Sequence, residues 1–343
     1  MPESPIIAID AMGGDIGPEV TVAAAGRILK QRQDVKLILV GLEDKINAEL
    51  SRLNIKKSDR LSVHHASELV AMDEAPALAL RKKKDSSMRV AINLVQEGKA
   101  GAVVSAGNTG ALMATAKFVY KTLSGIDRPA IMTTLPNMKG HTHMLDLGAN
   151  VDSSAENLFQ FAVMGSVTAS AVDNVDNPRV GLLNVGSEAM KGNAQVKAAE
   201  PLLLNSDLNY IGFVEGDDIY NGSVDVVVCD GFVGNVSLKS TEGVAKMIGQ
   251  FMREEFTRNL FTKLIAVMAS PVLNSFKQRV DHRRYNGASL LGLKQIVIKS
   301  HGGADEYAYS KAIEVAILEV EKSVPQCIES HLGALLEKTP ATS

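Results

Sequence analysis

The chain has 343 residues, of which 45% are hydrophobic and 22% charged, with a formal net charge of −3 at pH 7; this is a globular composition, long enough to bury a large core. Aromatics make up only 4% and tryptophan is absent, which argues against aromatic platforms for single-stranded nucleic acid, and a slightly negative chain carries no global field for a polyanion, so no nucleic-acid partner is expected. The two cysteines, Cys229 and Cys327, form no CxxC or Cys/His cluster, so neither a disulfide framework nor a structural metal is expected and a reducing cytoplasm fits.

In chain order, Ile6–Asp10 reads as a buried strand, and Pro18 introduces a helix from about Glu19. A strand at Lys36–Val40, a helix at Glu43–Leu53 and a strand at Leu61–His64 follow. Ser87–Glu97 has helical spacing and leads into a strand at Ala102–Val104, with a helix at Thr109–Tyr120 behind it. Ile131–Leu135 and Thr142–Leu145 read as a hairpin around Asn137-Met138-Lys139-Gly140. Ser153–Ser170 reads as a helix capped by Asp152 or Ser153, and strands near Val180, Tyr210 and Val224 continue the alternation. The pattern predicts an α/β fold with a mostly parallel sheet and helices on both faces. No Pro-, Ser- or Gly-rich linker divides the chain, so residues 1–338 are expected to form a single domain, with a frayed tail at 339–343. No signal-peptide pattern is apparent, and no apolar stretch reaches the ~18 residues of a spanning helix.

One segment departs from this alternation. Residues 251–285 are helical in pattern, with Phe256, Leu260, Phe261, Leu264, Ile265 and Met268 recurring on one face. Pro271 interrupts, which predicts a hairpin of two helices joined at Ala269-Ser270-Pro271. Seven Lys/Arg against three acidic residues give the segment a net charge of +4 in a chain that is negative overall.

Six apolar runs end abruptly in small, polar, glycine-bearing clusters. They are Asp10–Asp15 with Gly13 and Gly14; Ser105–Gly110 with Gly107, Asn108 and Thr109; Asp146–Asn150; Asn184–Asn193 with Gly186, Glu188, Lys191 and Gly192; Asp230–Asn235; and Lys299–Asp305 with His301. Ligands of open α/β sheets bind beyond the carboxyl ends of the strands, so the six clusters are expected to gather along one edge and build one site. Glycines let the backbone approach an anion, and a helix N-terminus aims N–H groups at it. Lys191 offers a compact positive charge for phosphate or a developing oxyanion, and His301 is the best-placed histidine for proton transfer. Each feature also has a plain reading: strand-to-helix punctuation for any one glycine turn, a helix cap or turn former for Asp10 or Asp146, a solvated surface residue for Lys191, a structural role for His301. His64-His65 reads as structural and Arg81-Lys82-Lys83-Lys84 as a solvated face. No GxGxxG follows the first strand, and GxxxxGK[ST], GxSxG and HExxH are absent. An anionic substrate bound without those devices is as far as the residues lead.

At these clusters the sequence resembles the bacterial phosphate acyltransferase family, the acyl-carrier-protein:phosphate acyltransferases of phospholipid synthesis. The resemblance spans roughly Ile6 to His331 and is carried by Ile9–Asp15, Ser105–Leu112, Asp146–Asn150, Asn184–Glu188, Gly231–Asn235 and Tyr285–Gly292. It implies a three-layer α/β/α Rossmann-like fold related to phosphotransacetylases and the isocitrate-dehydrogenase group, and a homodimer with no cofactor and no metal. The implied reaction converts a fatty acyl thioester of acyl carrier protein and inorganic phosphate into acyl phosphate, which passes to a membrane glycerol-3-phosphate acyltransferase. For that reaction Lys191, His301, Asn184, Asp10 and Asp230 are expected in the catalytic set. Gly13, Gly14, Asp15, Ser105, Gly107, Asn108, Thr109, Gly110, Asp146, Asn150, Gly186, Glu188, Gly192, Asn193 and Asn235 are expected to line the substrates. The basic hairpin reads as a core or dimer pair, as a dock for the acidic carrier protein through Lys277, Arg279, Arg283 and Arg284, or as a peripheral contact with the inner face of the cell membrane. Acyl transfer involving coenzyme A, a metal- and nicotinamide-dependent dehydrogenase on the same fold, and a non-catalytic scaffold that binds carrier protein stand as alternatives.

Overall fold

The computed structural model describes residues 4–338, so the tail expected at 339–343 lies outside the described residues. Its strands are β1 (Ile6–Asp10), β2 (Lys36–Gly41), β3 (Leu61–His65), β4 (Ala102–Ser105), β5 (Ala130–Asn137), β6 (Gly140–Leu145), β7 (Val180–Leu183), β8 (Tyr210–Val214), β9 (Val226–Val228), β10 (Ala288–Leu291) and β11 (Ile296–Lys299). They join in one sheet of order β3-β2-β1-β4-β11-β10-β5-β6-β9-β7-β8. Its helices are α1 (Pro18–Gln31), α2 (Glu43–Arg52), α3 (Pro76–Lys82), α4 (Ser87–Gln96), α5 (Thr109–Tyr120), α6 (Ala155–Asp173), α7 (Ala194–Leu204), α8 (Asp218–Asn221), α9 (Gly231–Thr257), α10 (Leu260–Met268), α11 (Ser270–Val280), α12 (Glu306–Glu321) and α13 (Val324–Lys338).

Strand alternation builds the three layers. Ile7 and Ile9 of β1 pack against Val22 and Ile28 of α1 and Ile313 of α12, whereas Ala8 between them faces Met88 and Ile92 of α4 and Leu112 of α5. In the other half, Leu145, Val226 and Val228 meet Leu158 and Phe161 of α6, and Met144 and Val227 point to the opposite layer. Both faces are covered, which is why these strands read as unbroken apolar runs. Each such side chain contributes roughly 1.5–3 kcal/mol on burial.

The direction of the strands decides where a site can form. β3, β2, β1, β4 and β11 run parallel to one another. β10 is antiparallel to β11 and to β5, and β5 is antiparallel to β6. Three reversals leave β6, β9, β7 and β8, mutually parallel, running opposite to the first set. The expectation of six clusters on one edge is therefore corrected: three leave one edge of the sheet and three the other. The cause is the β5–β6 hairpin and the antiparallel β10, whose effect on direction no local pattern encodes.

The basic segment also differs from expectation at its start. A single helix, α9, runs from Gly231 to Thr257, about 40 Å at 1.5 Å per residue. Two residues beyond its end stands Asn259, whose side chain accepts from the Thr262 amide while the Thr262 hydroxyl accepts from the Asn259 amide, a reciprocal cap that starts α10. The expected junction between two helices at 269–271 is the α10–α11 boundary. Leu260, Phe261, Val267, Met268 and Val272 are all exposed there.

Candidate active site

The first group of loops converges where β1, β4 and β11 end side by side. Ile9 pairs with Val104, and Ser105 with Lys299, so Asp10, Ser105 and Lys299 form one row across three strands. Asp10 is buried, and its carboxylate accepts from the Ser87 and Ser105 hydroxyls, each at 2.6 Å. Burial pushes its pKa up against those hydrogen bonds. Gly14 sits at φ +96°, where a side chain would be strained and its Cβ would come within 3.0 Å of Ala106 and of the Gly302 carbonyl. The absence of that atom lets the first and sixth loops lock together, with the Asp15 amide donating to Gly302 at 2.9 Å.

Lys299 is the group that the sequence analysis missed. Its ammonium donates to the Ala106 carbonyl at 3.2 Å and also to the Ser300 carbonyl. Burial pushes its pKa down to about 8, against the pull of Asp10 and Asp15, and Lys239 adds to the lowering. Lys239 comes from the third turn of α9, which carries Lys246 two turns further on. Both lysines act on His301, together with Lys299. His301 is held by Asn286, whose Oδ1 accepts from the His301 amide at 3.0 Å and whose Nδ2 donates to Ser300 and Ala308. The ring Nδ1 accepts from the Gly303 amide at 3.0 Å, which leaves the imidazole proton on Nε2. Partial burial and the lysines hold this histidine below its ordinary pKa, against Glu242. Lys299, Lys239 and Lys246 thus all bear electrostatically on His301, and Lys239 also pairs with Glu242 at 2.9 Å. The only hint of this in the sequence is the position of Lys299 at the end of an apolar run; Lys239 and Lys246 look like ordinary surface residues of a helix.

At the neighbouring α5 terminus, Asn108 is already engaged. Its Oδ1 accepts from the Ala111 amide and its Nδ2 donates to the carbonyls of Met72 and Glu74. The Gly107 amide donates to Ser105 Oγ. Among the described residues, the amides of Asn108, Thr109 and Gly110 have no acceptor, so three backbone donors remain in the loop whose Ala106 carbonyl Lys299 binds.

The second group lies at the ends of β6, β9 and β7. Asp146 is buried and accepts four times, from the amides of Ile131, Ala149 and Asn150 and from Asn150 Nδ2. Asn150 also donates to Pro129. A Cβ on Gly234 would fall 1.9 Å from the Asp146 carbonyl; glycine there lets the first turn of α9 lie against this loop. Asp230 caps that helix, accepting from the amides of Phe232 and Val233 and from Gln195. Asn193 caps α7 through the Val196 amide. Asn235 packs beside Gly148. Lys191 and Glu188 are exposed next to Gly186, and the Nδ2 of Asn184 is buried without a partner.

The structure therefore brings Asp10, Gly13, Gly14, Asp15, Ser105, Gly107–Gly110 and His301 together, and places Asp146, Asn150, Asn184, Gly186, Glu188, Lys191–Asn193, Asp230 and Asn235 in the other group. α9 links them, capped in the second group and carrying Lys239 to the first. Of the four basic residues expected to dock the carrier protein, Arg283 is committed: it binds Asp281 and Asp305, each at 2.7 Å. Lys277, Arg279 and Arg284 are exposed.

A family model described as fatty acid synthesis protein matches residues 6–327. The phosphate acyltransferase of Alkalilimnicola ehrlichii is 61% identical over 336 residues, covering 98% of each chain. That of Nitrosococcus oceani is 61% identical over 332 residues, covering 97% of this chain and 98% of its own. Among solved structures, a phosphotransacetylase from Streptococcus pyogenes superposes with a TM-score of 0.62 at 20% identity, over 96% of this chain and 95% of its own, a likeness of fold.

Proposed function

The chain belongs to the phosphate acyltransferase family of fatty acid synthesis proteins, and from that premise we propose that it transfers a fatty acyl group from acyl carrier protein to inorganic phosphate. The observation that carries the assignment of the site is at the ends of β1, β4 and β11, where Lys299 donates to the Ala106 carbonyl just before the acceptor-free amides of Asn108, Thr109 and Gly110. In this proposal the amides and lysines hold the phosphate dianion. A phosphate oxygen attacks the thioester carbonyl carbon, the carbon–sulfur bond breaks, and the thiolate leaves. The proton originally on phosphate ends on that sulfur, and the Nε2–H of His301 is assigned to donate a hydrogen bond to a phosphate oxygen. Held at contact distance, phosphate needs no enzyme nucleophile; burial pushes the Cys229 thiol well above its ordinary pKa, which keeps it protonated. A donor on the oxyanion of the tetrahedral state is worth about 3 kcal/mol.

The proposal extends to the surface. The acidic carrier protein docks on Lys277, Arg279 and Arg284, and the exposed apolar side chains of α10 rest on the membrane, where a glycerol-3-phosphate acyltransferase receives the acyl phosphate. Among the described residues, no helix is long and apolar enough to cross a membrane. The exposed Val244, Met247 and Ile248 of α9 are assigned to a homodimer contact. The decisive experiment offers palmitoyl thioesters of carrier protein and of coenzyme A to the purified protein with phosphate and traps acyl phosphate as a hydroxamate. Product from the carrier-protein thioester is expected; product from the coenzyme A thioester alone would replace the donor, and none from either would remove the activity.

A further inference from the structure

Away from both loop groups, two histidines and a carboxylate point at one spot. His141 and His143 are alternate residues of β6, so both lie on the same face of the strand. Asp173, the last residue of α6, faces them. One carboxylate oxygen, Oδ2, stands 2.9 Å from Nε2 of His141 and 2.7 Å from Nε2 of His143. The rings meet edge to face with centroids 5.1 Å apart. The three ligand atoms lie within 4.8 Å of one another.

We propose that His141, His143 and Asp173 bind a divalent transition metal of the zinc class. Two imidazole nitrogens and one carboxylate oxygen are ligands that zinc accepts at ~2.0–2.2 Å, with a fourth position left for water. Ligand atoms around one tetrahedral zinc lie ~3.4 Å apart by that geometry. From 2.9 and 2.7 Å, the two oxygen-to-nitrogen separations widen by about half an ångström to admit it, which a rotation of the Asp173 carboxylate supplies. Metal binding needs Nε2 of each ring free of a proton, so that the proton a neutral ring keeps sits on Nδ1. At His143 a partner for that proton is in place: Nδ1 is 3.1 Å from the Thr134 hydroxyl, which can donate or accept. Such an outer partner fixes ring orientation and ligand basicity. The other nearby carboxylate, Asp225, is occupied by Arg179 at 2.8 Å. No metal is expected from the absence of CxxC, Cys/His and HExxH spacings; the ligands here are set by strand alternation and by the distant end of a helix.

The test uses the full-length, untagged chain freed of metal by a chelator. Zinc is titrated in competition with a chromophoric chelator, and cobalt(II) is followed by its visible absorption. One equivalent per chain is expected. His141→Gln, at a half-exposed site, and Asp173→Asn are each expected to weaken binding at least ~10-fold, and Thr134→Val about tenfold. His64→Gln/His65→Gln, which removes the exposed histidine pair, leaves binding unchanged. Circular dichroism confirms that the variants are folded; if Asp173→Asn is not, His141→Gln decides. Absence of stoichiometric binding, unchanged affinity in His141→Gln, or loss of binding in the His64/His65 variant would each overturn the site.

Discussion

Lys299 stands opposite Ser105 in the parallel register of β11 and β4, and Ser105 in turn donates to Asp10 at 2.6 Å, so the partly buried ammonium and the buried carboxyl share one polar row. Burial pushes Lys299 down to about 8. A lysine that holds phosphate in the free enzyme does so only while protonated. kcat/KM for phosphate is therefore expected to fall about tenfold per pH unit above that value. In Lys299→Arg the guanidinium stays charged, and the alkaline limb should move up or vanish, provided the arginine fits. A limb at the same pH in wild type and variant would assign it to another group.

Lys299→Met and Lys191→Ala separate the two loop groups. The first removes a partly buried cation in the loop next to free amides and should raise the Michaelis constant for phosphate about tenfold or more, roughly 1.4 kcal/mol. The second removes an exposed cation and should change it less than about twofold. Initial rates against phosphate at fixed thioester distinguish them, and the reverse pattern would move the phosphate seat to the ends of β6, β9 and β7.

Arg283 and Arg284 are neighbours with different duties. Arg283 is paired with Asp281 and Asp305, and these contacts tie the chain after α11 to the start of α12. Arg283→Glu places three acids together and should lower the melting temperature. Arg284 is exposed, and Arg284→Glu should leave melting unchanged and raise the Michaelis constant for the carrier-protein thioester, an effect that shrinks as salt is added. Salt-independent loss in Arg284→Glu would remove it from the dock.

The layers of the fold were legible because buried strands and amphipathic helices mark themselves by period. Ile6–Asp10, Lys36–Val40 and Thr109–Tyr120 stand where the sequence puts them, within a residue. The division of the clusters was not legible, because the three direction reversals depend on which strands become neighbours. Nor did residue type reveal duty. Asp146, Asp230, Asn108 and Asn193 have the chemistry of ligand-binding groups and also that of loop holders and caps, and the structure gives each of them protein partners. Lys239 is brought to His301 by the length of α9, a relation over about 60 residues that spacing alone cannot show.

Gly234 tests the join between α9 and the Asp146 loop. A methyl group there meets backbone at 1.9 Å, and backbone cannot rotate aside as a side chain does. Gly234→Ala should destabilise by at least ~2–3 kcal/mol, in the upper range for overpacking. Gly243, in the same helix with open space around it, should gain slightly when changed to alanine through helix propensity. Urea unfolding of the two variants makes the comparison; equal effects would mean that α9 shifts freely over the loop.

Glu319 of α12 is fully buried, and its carboxyl accepts from the Ser289 hydroxyl. Burial raises its pKa to about 7, against that hydrogen bond. A carboxyl whose folded pKa lies above its unfolded value binds more protons in the fold, so its contribution is complete below the unfolded value and is lost as pH rises through the folded one. The window runs from about 4.5 to about 7, and the loss across it is on the order of 3 kcal/mol. Glu319→Gln keeps the size and the acceptor for Ser289 while removing the titration. It should match wild type near pH 4.5 and exceed its stability by up to about that amount near pH 8, as measured by urea unfolding at the two values. A gain of equal size at both would show that Glu319 is already charged in the folded chain at the lower pH.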